Sequence, residues 1–238
     1  MSGLALSVVI PAFNEEARLE PTLRRVVQHL VQSGLDHEVI VVDDGSTDET
    51  AALTRRVAAD CQVIRLIELG ENRGKGAAVR AGVLAARGRE ILFSDADMAT
   101  PIEELAKLRA ALAAGNDIAI GSRAVRGADI RVRQHRAREL MGRTFNLLVQ
   151  ILALRGIRDT QCGFKLFPQA VARDLFARAT VDGFAFDVEL LVLAKRRYRV
   201  AEVPVAWSHV EESKVSPGAD AARMLVDLVR LRLRHWRS

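Results

Sequence analysis

Cysteine, tyrosine and tryptophan are scarce in this 238-residue chain, with two, one and two copies, and aromatic residues make up only 5% of it. Cys61 and Cys162 have no metal-like spacing, which argues against a disulfide framework or a zinc site and leaves two small buried hydrophobes in a reducing compartment. Few aromatics also means few platforms on which bases stack. No apolar run reaches the roughly 18 residues of a membrane span, and no basic segment followed by a long apolar one opens the chain. It therefore reads as unsecreted and without a transmembrane helix. Internal repeats, low-complexity tracts and flexible linkers are missing too, so residues 1–238 are expected to form one unit.

With 49% hydrophobic residues, the chain has enough apolar material for a sizeable core. Its formal net charge of +5 hides a division: residues 1–122 carry 13 Lys/Arg against 18 Asp/Glu, and residues 123–238 carry 22 against 12. A basic half attracts nucleic acid, anionic lipid or phosphorylated substrates. A nucleic-acid-binding module is the weaker alternative, because no such motif occurs and the arginines lie beside apolar helices rather than along a continuous stripe.

Leu4 to Ile10, ended by Pro11, and Glu38 to Val42, ended by Asp43-Asp44-Gly45, read as buried strands. Leu19, Leu23, Val26, Val27, Leu30 and Val31 recur between them at helical spacing. Ser46-Thr47-Asp48 then offers N-caps to a helix through about Ala59, and Val63 to Leu69 reads as a strand. Helices are expected over 74–86 and 101–114, with strands at 91–94 and 117–121. Alternation of this kind predicts an α/β, Rossmann-like unit with a mainly parallel sheet covered on both faces. Ligands of such sheets lie beyond the carboxyl ends of the strands, where Pro11 to Glu15, Asp43-Asp44, Asp95 to Asp97 and Arg123 all fall.

Asp95 and Asp97 stand one residue apart after the apolar run Ile91-Leu92-Phe93, so both project to one side as the strand ends. Alone, the pair also fits a solvated turn. Among four polar clusters at four strand ends it reads as an anchor for magnesium or manganese on a diphosphate.

The motifs Val8-Val9-Ile10-Pro11-Ala12-Phe13-Asn14-Glu15-Glu16, Val41-Val42-Asp43-Asp44-Gly45-Ser46-Thr47-Asp48, Asn72-Arg73-Gly74-Lys75-Gly76, Asp95-Ala96-Asp97 and Gly121-Ser122-Arg123 follow in this order. In that order they resemble the family-2 glycosyltransferases. Asp159 to Phe167 and Phe184 to Leu191 make the dolichyl-phosphate β-glucosyltransferases the most similar branch, with the mannosyltransferases as relatives. The resemblance implies a glycosyltransferase A-type fold: a nucleotide-sugar-binding half over 1–122, an acceptor-binding and membrane-associating half over 123–238, and C-terminal amphipathic helices.

It further implies a nucleotide pocket of Pro11, Phe13, Glu15 and Lys75, with Asp44 accepting from uracil and Asp43 supporting it. Asp95 and Asp97 would hold the metal, Arg123, Arg133, Arg138 and Lys214 would take the acceptor phosphate, and Asp159 would face the sugar or orient the arginines. Asp97, Arg123 and Asp159 are the expected reacting centre. Glu212 stands where the family has glycine before Ser213-Lys214. The expected donor is UDP-glucose, the alternative GDP-mannose, and the acceptor a polyprenyl phosphate. Such a phosphate, with a second pKa of about 6, is already ionised and needs positioning more than a general base. Lacking a span, the protein is expected to be cytoplasmic and peripheral at the inner face of a membrane. Phe145 to Leu154 and Ala221 to Trp236 would then either lie in the interface or pack on the sheet.

Overall fold

Strands β1 (Leu6–Ala12) and β2 (His37–Asp43) are buried along their whole length, as near-continuous apolar runs covered on both faces must be. The computed structural model describes residues 3–132, 146, 148–150, 154, 156–209 and 219–235. Its other strands are β3 (Ile64–Glu68), β4 (Glu90–Ser94), β5 (Ile118–Ser122), β6 (Asp129–Val132), β7 (Phe164–Pro168), β8 (Val200–Pro204) and β9 (Ala206–Ser208). Seven of them form one sheet in the order β3-β2-β1-β4-β7-β5-β8, and β6 pairs with β9 apart from it. All sheet pairings are parallel except those of β7, which runs antiparallel to both β4 and β5. Strand β1 passes through Pro11 to Ala12, one turn of the pleat further than expected, with Pro11 opposite Val42.

The helices are α1 (Leu19–Gln32), α2 (Thr50–Asp60), α3 (Lys75–Ala85), α4 (Leu105–Ala113), α5 (Gln169–Arg178), α6 (Phe186–Lys195) and α7 (Ala219–His235). A 3-10 turn at Ile102–Glu104 precedes α4, so the helix expected from Pro101 begins tightly wound. Alternation along β1 assigns the two faces. Val8 and Ile10 pack with Leu23 and Val26 of α1, Leu53 of α2 and Leu108 of α4, whereas Val9 packs with Val79 of α3, Leu175 of α5, Leu190 of α6 and Leu228 of α7.

Of the two placements open to the C-terminal segment, helix α7 shows the packed one along one of its faces. Met224, Leu228 and Leu231 are buried, and the latter two belong to the core cluster on the α3 side. Leu225, Val226, Val229 and Leu233 remain exposed. Of the apolar segment 145–154, Val149 and Leu154 are buried in that same cluster. Arg133, Arg138, Lys214, Glu212, Phe145 and Trp236 lie outside the described residues.

Candidate active site

A cavity of about 930 Å³ opens at the carboxyl ends of β1, β2 and β4. Pro11, Phe13, Glu15, Asp44, Lys75, Asp95 and Asp97 all line it. The loops after β1 and β2 are laced together. The Asn14 N–H donates to Ser46 Oγ at 2.9 Å, the Thr47 N–H to Asn14 Oδ1 at 2.8 Å and the Glu15 N–H to Thr50 Oγ1 at 2.7 Å. Glu15 in turn pairs with Arg18, whose Nη2 donates to Oε1 at 2.8 Å. Gly45 has φ +71°, and a Cβ there would stand 2.4 Å from the Glu71 backbone, so only glycine fits this turn.

Asp44 grips the segment leading into α3, with Oδ1 accepting from the Arg73 N–H at 2.8 Å and Oδ2 from the Gly74 N–H at 2.9 Å. Burial and the Asp43 charge nevertheless push its carboxyl above the usual range. Asp43 is buried beneath it and holds the turn by accepting from the Ser46 N–H at 3.2 Å. It does not reach the cavity lining.

At the end of β4, the Asp95 N–H donates to the Gly163 carbonyl at 3.0 Å, and Asp97 Oδ1 accepts from the Ala99 N–H at 3.0 Å. Burial and the neighbouring Asp95 charge raise the Asp97 carboxyl above the usual carboxylate range. The Lys75 ammonium stands 2.7 Å from Asp95 Oδ1 and forms an ion pair with it. Burial works against the charge on Lys75, and Asp95, Asp187 and Asp97 together outweigh it, holding its pKa above the ordinary lysine value. No cluster of three or more His, Cys, Asp or Glu suited to a metal occurs among the described residues. Two adjacent carboxylates in one cavity, one of them ion-paired to Lys75, fit a hard divalent cation that completes its shell with phosphate oxygens and water.

The sequence profile of Glycosyl transferase family 2 matches residues 7–176, which include Pro11, Phe13, Glu15, Asp44, Lys75, Asp95 and Asp97. The chain belongs to glycosyl transferase family 2. Dolichyl-phosphate beta-glucosyltransferase of Drosophila melanogaster is 42% identical to it over 99% of this chain and 78% of the relative. The proteins of the same name from Homo sapiens and Saccharomyces cerevisiae are 39% and 36% identical, over 98% and 96% of this chain and 77% and 74% of theirs. Glucosyl-3-phosphoglycerate synthase from Mycobacterium tuberculosis, crystallised with Mn2+, UDP-glucose and phosphoglyceric acid, matches with a TM-score of 0.74 at 23% identity, over 96% of this chain and 80% of that one. This last likeness is one of fold, and the fold is the glycosyltransferase A type.

Two residues expected at the reacting centre of this family-2 chain sit just behind the cavity wall, where the Asp95 charge still acts on Arg123. Arg123 and Asp159 do not line the cavity and are consumed by each other: Arg123 Nε donates to Oδ2 at 2.7 Å and Nη2 to Oδ1 at 2.8 Å. The Arg123 guanidinium also lies 5.4 Å from the Trp207 ring. Asp159 is itself fixed by Glu202, which accepts its N–H at 3.0 Å. Of the two roles open to Asp159, orienting an arginine is the one this geometry fits.

Other groups at the site carry no assignment from the sequence. Lys165 is fully buried in β7 and donates to Asp187 Oδ1 and to the Cys162 carbonyl, both at 2.6 Å. Both partners belong to the motif segments that carried the glucosyl resemblance, but a buried ion pair across 22 residues has no local spacing signal. The loop 180–184 forms another part of the lining, tied by Glu189 to the Thr180 and Val181 N–H groups at 2.8 Å each. Helix α7 contributes Arg223, Asp227, Arg230 and Arg234 to the same cavity.

Proposed function

We propose that this glycosyltransferase moves glucose from UDP-glucose to the phosphate of a polyprenyl lipid with inversion at the anomeric carbon. The observation that carries the reading is the placement of Asp95 and Asp97 in one cavity with the interlaced loops after β1 and β2 and a basic helix. The similarity to dolichyl-phosphate beta-glucosyltransferases over 98–99% of this chain supports the donor sugar and the acceptor class. Held by Asp95 and Asp97, magnesium or manganese would serve as a Lewis acid on the donor diphosphate. The loops at Pro11 to Glu15 and Asp44 orient the nucleotide, and Lys75 keeps a cation beside the carboxylate pair. An oxygen of the acceptor phosphate forms the new bond to C1 as the C1–O bond to UDP breaks, and UDP departs with the bonding electrons. The dianionic nucleophile has no proton to surrender, so no general base is required.

The lipid acceptor implies a meeting at a membrane. Among the described residues no helix is long and apolar enough to cross one. The exposed Leu225, Val229 and Leu233 of α7, flanked by arginines, suit shallow binding to an anionic inner leaflet. Asp97→Asn should lower glucosyl transfer at least about a hundredfold and abolish Mn2+-dependent UDP binding, with the melting temperature preserved. Near wild-type turnover in that variant, or in the wild type after chelation, would falsify the metal role. Glucosyl transfer is assayed against a panel of nucleotide sugars including GDP-mannose, and flotation with anionic vesicles tests the membrane contact.

A further inference from the structure

Helix α7 presents three stripes rather than two. Leu228 and Leu231 enter the core, Leu225, Val229 and Leu233 face outward, and Arg223, Asp227, Arg230 and Arg234 recur at helical spacing along the cavity. We propose that this arginine stripe receives the acceptor phosphate, a phosphate monoester dianion, an assignment that rests on the proposed transfer to a lipid phosphate.

The charges around the cavity lead there. Two anions must be accommodated, the donor diphosphate and the attacking phosphate, and Asp95 and Asp97 with a divalent cation account for the first. Among the described residues most other cations nearby are committed: Arg18 to Glu15, Lys75 to Asp95, and Arg123 to Asp159 outside the lining. Arg73 sits on the nucleotide side, in the segment gripped by Asp44. Helix α7 brings three guanidinium groups against the single carboxylate of Asp227. Arg223 has no hydrogen bond or ion pair among the described residues, and Arg230 is 3.7 Å from Asp227 with its side chain 68% exposed. Arg234 is already posed, its Nη1 donating to Thr180 Oγ1 at 2.8 Å, while Thr180 is held by Glu189.

Guanidinium forks match phosphate oxygens in pairs, and a stripe of them holds a dianion without taking a proton from it. The outward apolar stripe lies on the same helix. A lipid at the bilayer surface thus meets its phosphate site and its tail contact on one element.

The test uses the full chain and a short, water-soluble polyprenyl phosphate, so that bilayer binding plays no part. In R223Q/R230Q, calorimetric affinity for that phosphate measured without donor should weaken about tenfold or more, and the acceptor KM should rise in step. Affinity for UDP with Mn2+ should stay as in the wild type. Asp227→Asn, which removes the competing carboxylate, should tighten acceptor binding. Unchanged acceptor affinity in a folded R223Q/R230Q protein, or failure of the wild type to bind the short phosphate, overturns the proposal. So does a loss of UDP affinity, which assigns the stripe to the donor diphosphate instead. Should the wild type bind the short phosphate through these arginines yet transfer no glucose, the proposed function fails and the phosphate site stands.

Discussion

Gly163 shows how much of the site hangs on single atoms. A Cβ there would stand 2.0 Å from Asp95 Oδ2, so the residue has to be glycine for the carboxylate to keep its place. Gly163→Ala is expected to push Asp95 aside and weaken Mn2+ binding about 10- to 100-fold, read by paramagnetic resonance, with little change in melting temperature. Unaltered metal affinity contradicts that packing role. Asp159 gives a second test. Burial raises its carboxyl, but the Arg123 charge and hydrogen bonds outweigh this and hold it below the usual range. The unfolded chain therefore binds more protons between the two pKa values, and the pair's stabilisation is complete above about pH 4 and drains away as pH falls through the depressed value. Asp159→Asn, leaving a half-buried guanidinium unpaired, should cost about 3 kcal/mol at neutral pH. The gap in unfolding free energy between wild type and variant should close below about pH 4. A gap that stays constant on acidification speaks against the ion pair. At this scale the sequence announces Asp95 and Asp97 through their spacing and Gly45 through its turn. The Arg123–Asp159 lock came only from the resemblance, as one of two roles for Asp159, because residues 36 positions apart carry no periodicity that joins them.

Elements in the first half are legible because each strand is a short apolar run closed by turn formers and each helix repeats its buried positions. The strands expected at 63–69, 91–94 and 117–121 differ from β3, β4 and β5 only at their ends. The reversed direction of β7 is invisible in Phe164–Pro168, since an apolar run reads the same for either pairing sense. Its one oddity is Lys165, a cation in the middle of a buried strand. Lys165→Met should destabilise the protein by about 3–5 kcal/mol in denaturant titration, because Asp187 is left buried without the cation that hydrogen-bonds it. Lys165→Met combined with Asp187→Leu should recover most of that loss. A double variant no better than the single one assigns the cost to packing instead. The basic periodicity of α7 was legible, but its orientation was not: arginines beside leucines look alike whether the helix floats on lipid or walls a cavity.

Across the whole molecule, the cavity joins the strand ends of the first half to the 180–184 loop and to α7. Deleting residues 219–238 should therefore do more than weaken membrane contact. Removing the burial of Met224, Leu228 and Leu231 forfeits about 5 kcal/mol of apolar contact, partly offset by the entropy of no longer ordering a helix. A net fall of a few kcal/mol in unfolding free energy is expected, together with loss of transfer even to a water-soluble acceptor. Stability indifferent to the truncation contradicts the docking of α7. The chain order of these walls has a consequence for synthesis. Residues 3–122 can emerge from the ribosome and pair their first strands long before α7 is translated, so a nascent chain offers its nucleotide loops well ahead of its arginine wall.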